Sequence, residues 1–239
     1  MQYNLRACTR VCYGVHSVWC RNTRLHVSFW SESDIIMSLS DIVPIPPGIN
    51  MGLSSCREDT MLQKFGSPGA LTDQCSAVSG TVRPLVRYSV DVGPFKVSGL
   101  EYAVNSLAEV FDLVSNSSPE TFDAVKTAGM LCVRRIKHNP AHFSNHSWGT
   151  AIDLYFGNGV LSQGKSATQR GFLSLFQAFN QCGWYWGAGF SGGSVDSMHF
   201  ELANETILTR PVDQAASAML ISDNEYIQSM GYDFPYEDV

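Results

Sequence analysis

The chain has 239 residues and a formal net charge of -6 at pH 7, and 44% of its residues are hydrophobic against 16% charged. This is the composition of an ordinary globular protein, which excludes a disordered or fibrous chain. The acidic balance and the lack of a run rich in lysine or arginine argue against nucleic acid as a partner. No apolar run reaches the roughly 18 residues of a membrane-spanning helix, so no transmembrane segment is expected.

The N-terminal residues 1–40 have no clear amphipathic period, and we interpret them as a poorly ordered extension. Met37 is a second candidate start of the chain. Four residues of metal-binding types recur at every fourth position of the extension: Cys8, Cys12, His16 and Cys20. On a helix this series would follow one slowly drifting face and present soft ligands. Structural zinc sites instead favour two short chelate pairs separated by a loop, so the role of the series stays open.

Cysteine usage and the N-terminus bear on the compartment in which the protein works. The seven cysteines include no Cys-x-x-Cys pair and support no complete disulfide framework, so we expect mostly reduced thiols. The residues that follow the N-terminal arginines lack the continuous apolar stretch of a signal peptide. Export of the protein, if it occurs, is therefore expected to use another route.

The first ordered elements are predicted beyond a segment that is rich in proline and glycine. We interpret residues 41–92 as an extended arm because of stretches such as DIVPIPPGINMGL. Apolar residues then recur with a helical period, which predicts a helix over 99–115 with Ser98 as its N-cap. The stretch SPETFDAVKTAGML predicts a second, shorter helix that Gly129 ends.

The second half of the chain is expected to alternate strands with one helix. MLCVRRI, TAIDLYFG and SMHFEL have the composition of strands, and TQRGFLSLFQAFNQCG predicts a helix that is closed by Gly183. No internal repeat is present. The expected fold class is α+β, with helices packed on one face of a small, mostly antiparallel sheet.

Strand alternation sets the direction of the polar residues in two of these strands. In TAIDLYFG, Asp153 points away from the apolar face of the strand. In SMHFEL, His199 shares a face with Glu201, opposite to the apolar residues. If the two strands are neighbours, Asp153 and His199 face a common cleft, which His146 can reach from the loop before the first of these strands.

Two neutral imidazoles and one carboxylate form a three-ligand set that is common for catalytic zinc and leaves a fourth position for water. Asp196 precedes His199 by three residues and is close enough to accept a proton from that water. Each residue alone has an ordinary explanation: His146 as a loop histidine bonded to backbone, His199 as a core histidine, Asp153 and Asp196 as turn residues. The occurrence of all four in this order favours the metal site.

Two blocks of the sequence resemble one known family. SNHSWGTAIDL is similar to the SxHxxGxAxD signature of the M15 zinc peptidases, the D-Ala-D-Ala carboxypeptidases and phage L-alanyl-D-glutamate endopeptidases. GWYWGAGFSGGSVDSMHFEL resembles the second block of that family, in which a Gly-Trp-like segment precedes an acidic-x-x-His motif. The resemblance covers residues 93–205 and implies an M15/hedgehog-like peptidase fold.

Carried over to this chain, the resemblance implies that His146, Asp153 and His199 hold Zn2+ and that Asp196 is the catalytic base. Many carboxypeptidase members have glutamate at the position of the base, whereas aspartate is similar to the endopeptidase-like branch. The resemblance therefore favours an endopeptidase over a D,D-carboxypeptidase. Aspartate is one methylene shorter than glutamate, so the water that it activates must lie closer to its backbone.

The resemblance also implies an arginine upstream of the first block. The Arg-x-Ile spacing of the family fits Arg134, and strand alternation sends Arg135 to the opposite face. Arg134 is expected to hold the carbonyl or carboxylate of the substrate and to stabilise the charge that builds on the tetrahedral intermediate. The alternative for Arg134 is a solvated surface cation.

Residues around the two blocks are candidates for contacts with the substrate. Ser144 matches the first position of the signature and is expected to bond the substrate backbone or to steady the loop, with a turn-capping hydroxyl as the alternative. Trp148 and Trp186 are candidates for the walls of the cleft, although aromatic residues in such number are commonly core residues. Glu201 is expected to orient a ligand histidine from behind rather than to bind the metal itself.

The leading hypothesis is a monomeric zinc peptidase that cleaves a bond in the stem peptide of bacterial peptidoglycan, with a zinc peptidase domain at 93–210 and a tail at 211–239. A second hypothesis is a catalytically inactive wall-binding or structural module of the same fold, which would not need Asp196. A third is a structural metal with Glu201 as its fourth ligand. The lack of a signal peptide fits a phage-encoded enzyme, or one exported by a nonclassical route, that acts at the cell wall.

Overall fold

The protein is represented by a computed structural model that describes residues 37–209, except residue 138. The series Cys8, Cys12, His16 and Cys20 and the predicted tail 211–239 lie outside the described residues. Within the described part of the chain, no helix is both long and apolar enough to cross a lipid bilayer.

The described residues form five α-helices and ten short strands. The helices are α1 (Glu58–Phe65), α2 (Glu101–Ser117), α3 (Pro119–Ala124), α4 (Phe172–Gln181) and α5 (Asn204–Thr209). The strands are β1 (Ile42–Pro44), β2 (Val86–Asp91), β3 (Lys96–Leu100), β4 (Lys126–Gly129), β5 (Arg135–Ile136), β6 (Asn139–Phe143), β7 (Ala151–Tyr155), β8 (Ala167–Gln169), β9 (Trp184–Trp186) and β10 (His199–Leu202).

Four strands pair in one antiparallel sheet in the order β4-β7-β10-β9. The other strands form three antiparallel pairs, β1 with β8, β2 with β3 and β5 with β6. The prediction of an α+β fold with a small antiparallel sheet is therefore confirmed.

Aromatic side chains join helix α4 to the central strand β10. Phe172 and Phe179 are two turns apart on α4, which places them on the same face of the helix. The ring of Phe179 stacks on Phe200 with centroids 4.0 Å apart, and the ring of Phe172 lies 5.9 Å from Phe200. Because side chains alternate along a strand, the face of β10 opposite to Phe200 is left for polar residues.

Helix α2 confirms the predicted helical period but begins later than predicted. Its residues Ala103, Leu107 and Val110 are fully buried. Ser98 lies in strand β3 rather than at the N-cap, and its hydroxyl accepts a hydrogen bond from the backbone N–H of Ser89 at 3.0 Å. The chain passes directly from β3 into α2 through Leu100, so no side chain caps the helix.

Two predicted elements have other bounds in the structure. The second helix ends at Ala124 instead of Gly129, and residues Lys126–Gly129 form strand β4, which pairs with the sheet through β7. Edge pairing with β7 outweighs the weak helical preference of this short segment. Within MLCVRRI, only Arg135–Ile136 is a strand.

The interpretation of residues 41–92 as an extended arm is corrected by the structure. This segment contains α1 and β2, and its Met61 and Val82 are fully buried in the hydrophobic core. Proline and glycine mark the irregular stretches between these elements, but they give no signal for the isolated apolar residues that anchor the segment.

A disulfide bond links Cys75 to Cys132, which the odd cysteine count did not indicate. The expectation of reduced cysteines is therefore wrong for Cys75 and Cys132. Cys56 and Cys182 are free thiols, as expected. Next to the disulfide, Ser76 and Val133 form an isolated antiparallel bridge. The loop before β2 is thereby fastened to the segment that leads to Arg134.

We predict that replacing Cys75 and Cys132 together with serine lowers the free energy of unfolding by about 2–4 kcal/mol, because the bond closes a long loop in the unfolded chain. Urea unfolding without reductant measures the loss. The matched control is Cys182→Ser, which removes a free thiol and should change stability much less. Equal stability of the wild-type protein with and without dithiothreitol would contradict the prediction.

Candidate metal centre

Strands β7 and β10 bring two of the predicted ligands together. Their antiparallel register pairs His199 with Asp153 and Phe200 with Ile152. Phe200 and Ile152 are fully buried toward the helices, so His199 and Asp153 point to the opposite face of the sheet. The Nδ1 atom of His199 lies 3.0 Å from Oδ1 of Asp153.

The third predicted ligand comes from the turn before β7. Residues Asn145–Trp148 form one turn of 3-10 helix, in which His146 is buried. Nδ1 of His146 lies 2.8 Å from the carbonyl oxygen of Met130. A carbonyl oxygen only accepts, so Nδ1 carries a hydrogen, and in the neutral ring that binds a metal Nε2 presents a lone pair. This Nε2 is buried, lies 3.3 Å from Oδ1 of Asp153, and has no hydrogen-bond partner among the described residues.

A glycine ends this turn and directs the chain into β7. Gly149 has a left-handed backbone conformation with a φ of 63°. A Cβ atom at this position would lie 2.3 Å from the Cα atom of Gly99 in β3. Backbone strain and this collision together exclude a larger residue at position 149. The glycine of the signature therefore sets the position of His146 relative to Asp153.

The three side chains fit a zinc ion. One ligand atom from each of His146, Asp153 and His199 lies within 4.8 Å of the other two. Two donor atoms bound to one tetrahedral zinc ion lie about 3.4 Å apart. The distances of 3.0 and 3.3 Å from the two histidine nitrogens to Oδ1 of Asp153 are close to this value. Two imidazoles and one carboxylate are also a ligand set that zinc prefers.

The charges of the cluster depend on one another. Burial by itself raises the pKa of Asp153, but His146 and His199 hold that pKa well below its usual range. Burial by itself lowers the pKa of His199, but hydrogen bonds to Asp153 and Glu201, together with their negative charges, raise it to about 10. The imidazolium of His199 thus balances two carboxylates. A divalent cation would replace this charge as His199 gives up its proton.

Glu201 lies on the other side of the His199 ring from Asp153. Its Oε2 atom is 3.0 Å from Nε2 of His199, and both side chains are buried. Since Nδ1 of His199 faces Asp153, Glu201 contacts the nitrogen that is directed away from the ligand cluster. This arrangement argues against a closed structural site in which Glu201 is a fourth ligand.

Asp196 stands in the loop before β10 and lines the same cleft. Its backbone N–H donates to Gly187 at 3.0 Å, and its carbonyl accepts from the N–H of His199 at 3.3 Å. Its Oδ1 atom is buried without a hydrogen-bond partner among the described residues. Burial raises the pKa of Asp196, and the charge of Asp153 adds to this against the opposing effect of His199. A higher pKa makes this carboxylate a better proton acceptor.

Arg134 and Ser144 also line the cleft. The carbonyl oxygen of Arg134 accepts hydrogen bonds from the N–H of Ser144 and the hydroxyl of Ser147, each at 3.0 Å. Arg135 is paired instead with Asp73, at 3.1 Å between Nε and Oδ1. Among the described residues no carboxylate forms an ion pair with Arg134. The guanidinium of Arg134 donates a hydrogen bond from Nη1 to the carbonyl oxygen of Arg135 at 3.2 Å.

Trp148 and Trp186 do not line the cleft, which corrects the expectation that they form its walls. Both side chains are fully buried in the hydrophobic core. The indole N–H of Trp148 donates to the carbonyl of Gly66 at 2.9 Å, and that of Trp186 donates to the carbonyl of Ser197 at 2.8 Å. Both polar atoms are satisfied inside the protein, as buried indoles require.

Two further segments line the cleft, which has a volume of about 920 Å3. One is the β5–β6 hairpin, and the other consists of residues 55–59 before and within α1. Glu58 connects them, because its carboxylate contacts Nδ1 of His142 and accepts a hydrogen bond from the N–H of Phe143 at 2.8 Å. No sequence motif marks residues 55–59, so their place in the cleft could not be predicted from the sequence.

Comparison with known proteins bears on the same part of the chain. A family model described as D-alanyl-D-alanine carboxypeptidase matches residues 137–202. No curated protein and no solved structure matches the chain. The matched residues include His146, Asp153, Asp196 and His199. The predicted resemblance to the M15 peptidases is therefore confirmed over residues 137–202.

Proposed function

We propose that this protein is a zinc-dependent peptidase that hydrolyses a peptide bond in the stem peptide of bacterial peptidoglycan. The observation that carries the proposal is the buried Nε2 atom of His146, which faces Asp153 without a hydrogen-bond partner inside the matched peptidase segment. Leaving a buried polar atom unpaired is costly, and a bound cation would remove that cost.

His146, Asp153 and His199 would hold the ion through two ring nitrogens and a carboxylate oxygen. A bound zinc ion polarises a carbonyl group and makes water a stronger nucleophile at neutral pH. Asp196 accepts the proton of the attacking water and later donates it to the amine that leaves. Its partly buried carboxylate, with an Oδ1 atom free of protein partners, is suited to this exchange.

Arg134 and Ser144 would position the substrate. The guanidinium of Arg134 donates hydrogen bonds to the carbonyl under attack and stabilises the negative charge that develops on its oxygen. The hydroxyl of Ser144 contacts the substrate backbone, while its own N–H is used to fasten Arg134.

The cleaved bond lies either within the stem peptide or at its D-alanyl end. The aspartate at position 196 is similar to the endopeptidase-like branch, whereas the matched family model is described as a carboxypeptidase. Both reactions break an amide bond with the same groups. Their products differ, because a carboxypeptidase releases free D-alanine and an endopeptidase exposes new amino termini in the wall.

We predict that the purified protein contains about one zinc ion per chain and releases D-alanine or new amino termini from peptidoglycan, as three protein ligands and an open position require. His199→Ala is expected to lose both the zinc and the hydrolysis. The matched control is His142→Ala, which removes a cleft histidine outside the ligand set and should retain the zinc. Metal mass spectrometry and a peptidoglycan digest measure the two properties. Zinc without hydrolysis in the wild-type protein would leave a binding or structural module.

We predict that Asp196→Asn binds zinc like the wild-type protein but hydrolyses its substrate about 10²–10⁴-fold more slowly, because an amide cannot accept the proton. The rate of product release at saturating zinc measures the effect. Asp112→Asn removes an exposed carboxylate from α2 and serves as the control, with an unchanged rate. Full activity of Asp196→Asn would refute the role of this residue as the base.

A further inference from the structure

The carboxylate of Glu201 is held on all sides by hydrogen-bond donors. Ser55 donates its hydroxyl to Oε1 at 2.5 Å, and the N–H of Cys56 donates to the same oxygen at 3.1 Å. Asn145 donates its side-chain amide to Oε2 at 2.9 Å, and Nε2 of His199 lies 3.0 Å from that oxygen. These four contacts match the roughly four lone-pair positions of a carboxylate.

This saturation fixes the orientation of a ligand histidine. Three donors hold the plane of the Glu201 carboxylate, so its remaining lone pair is directed at Nε2 of His199. In the neutral ring that binds a metal, a carboxylate that accepts from Nε2 keeps the hydrogen on that nitrogen and leaves the lone pair of Nδ1 for the side that faces Asp153. The contact thereby selects both the tautomer and the ring angle of His199.

The donors at Oε1 come from a segment that lies outside residues 137–202. The segment Ser54–Cys56 is fastened at two points. Asn145 donates to the carbonyl of Cys56 at 3.0 Å, next to the turn of His146. Glu205 accepts from both the N–H and the hydroxyl of Ser54, and the N–H of Asn204 donates to the carbonyl of Ser54 at 2.9 Å. The segment is thus tied to the turn that carries His146 and to helix α5, and its bonds to Glu201 tie it to strand β10, which carries His199.

We propose that Ser55 is a positioning residue of the metal centre, whose hydroxyl holds Glu201 together with the N–H of Cys56. The inference rests on the proposed zinc site. Without the Ser55 hydroxyl, Oε1 of the buried Glu201 keeps only the Cys56 N–H as a donor, so the carboxylate can rotate and the His199 ring with it. Ser55 itself touches neither the ligand atoms of the cluster nor the general base Asp196.

The test compares two adjacent serines. Ser55→Ala is expected to weaken zinc binding about tenfold, the lower end of the effects known for residues that support metal ligands. Ser54→Ala removes a hydroxyl bonded to Glu205 but keeps the backbone N–H and carbonyl contacts of residue 54, so it should leave zinc affinity unchanged. Competition with a chromophoric chelator measures the dissociation constant. Ser55→Thr retains a hydroxyl and should restore most of the affinity, which a purely structural defect would not explain.

A spectroscopic readout separates orientation of the ligand from loss of folding. The visible absorption spectrum of the protein loaded with Co2+ is expected to change in Ser55→Ala and in Glu201→Gln but not in Ser54→Ala. The double variant Ser55→Ala/Glu201→Gln should bind zinc no more weakly than Glu201→Gln alone, because Ser55 acts through Glu201. Equal zinc affinity and equal Co2+ spectra for Ser55→Ala and the wild-type protein would overturn the inference.

The same measurements distinguish this inference from the proposed function. If the wild-type protein binds zinc with the expected dependence on Ser55 but hydrolyses no peptidoglycan, the positioning role stands and the peptidase proposal fails. If the wild-type protein hydrolyses peptidoglycan while Ser55→Ala binds zinc normally, the peptidase proposal stands and the positioning role fails. A wild-type protein that binds no zinc contradicts both.

Discussion

The pairing of His199 with Asp153 across β7 and β10 is the constraint on which the candidate metal centre depends. Because side chains alternate along a strand, a slip of one residue in one strand would turn its ligand toward the helices. The stacked rings of Phe200 and Phe179, with centroids 4.0 Å apart, oppose such a slip, since it would move Phe200 out of the core. The apolar side of the sheet therefore sets the register that the polar side needs.

The second requirement of the site is charge balance around buried groups. Asp153 and Glu201 lie on either side of the His199 ring, and the buried Nε2 of His146 adds a lone pair without a donor. A protonated His199 satisfies the carboxylates but leaves His146 unpaired. One divalent cation between the three ligand atoms would satisfy the histidines and Asp153 together, while Glu201 keeps the remaining proton of His199 in place.

Local rules were sufficient to predict the residues of the sheet that face the cleft. The two-residue period of a strand placed Asp153 and His199 on polar faces, and the helical period located α2 and α4. The same rules could not predict contacts between distant segments. Neither Ser55, which holds Glu201, nor the Cys75–Cys132 bond has a local signature. Trp148 and Trp186 lie within the two motif blocks, but their burial depends on contacts with Gly66 and with helix α4, which the motifs do not encode.

The measurement that tests the central claim most directly is anomalous diffraction at the zinc edge from crystals of the zinc-loaded protein. We expect one strong peak within bonding distance of Nε2 of His146, a carboxylate oxygen of Asp153 and Nδ1 of His199, with Glu201 contacting only Nε2 of the His199 ring. A zinc peak that takes Glu201 as a fourth protein ligand, or one that lies away from these three residues, would contradict the account.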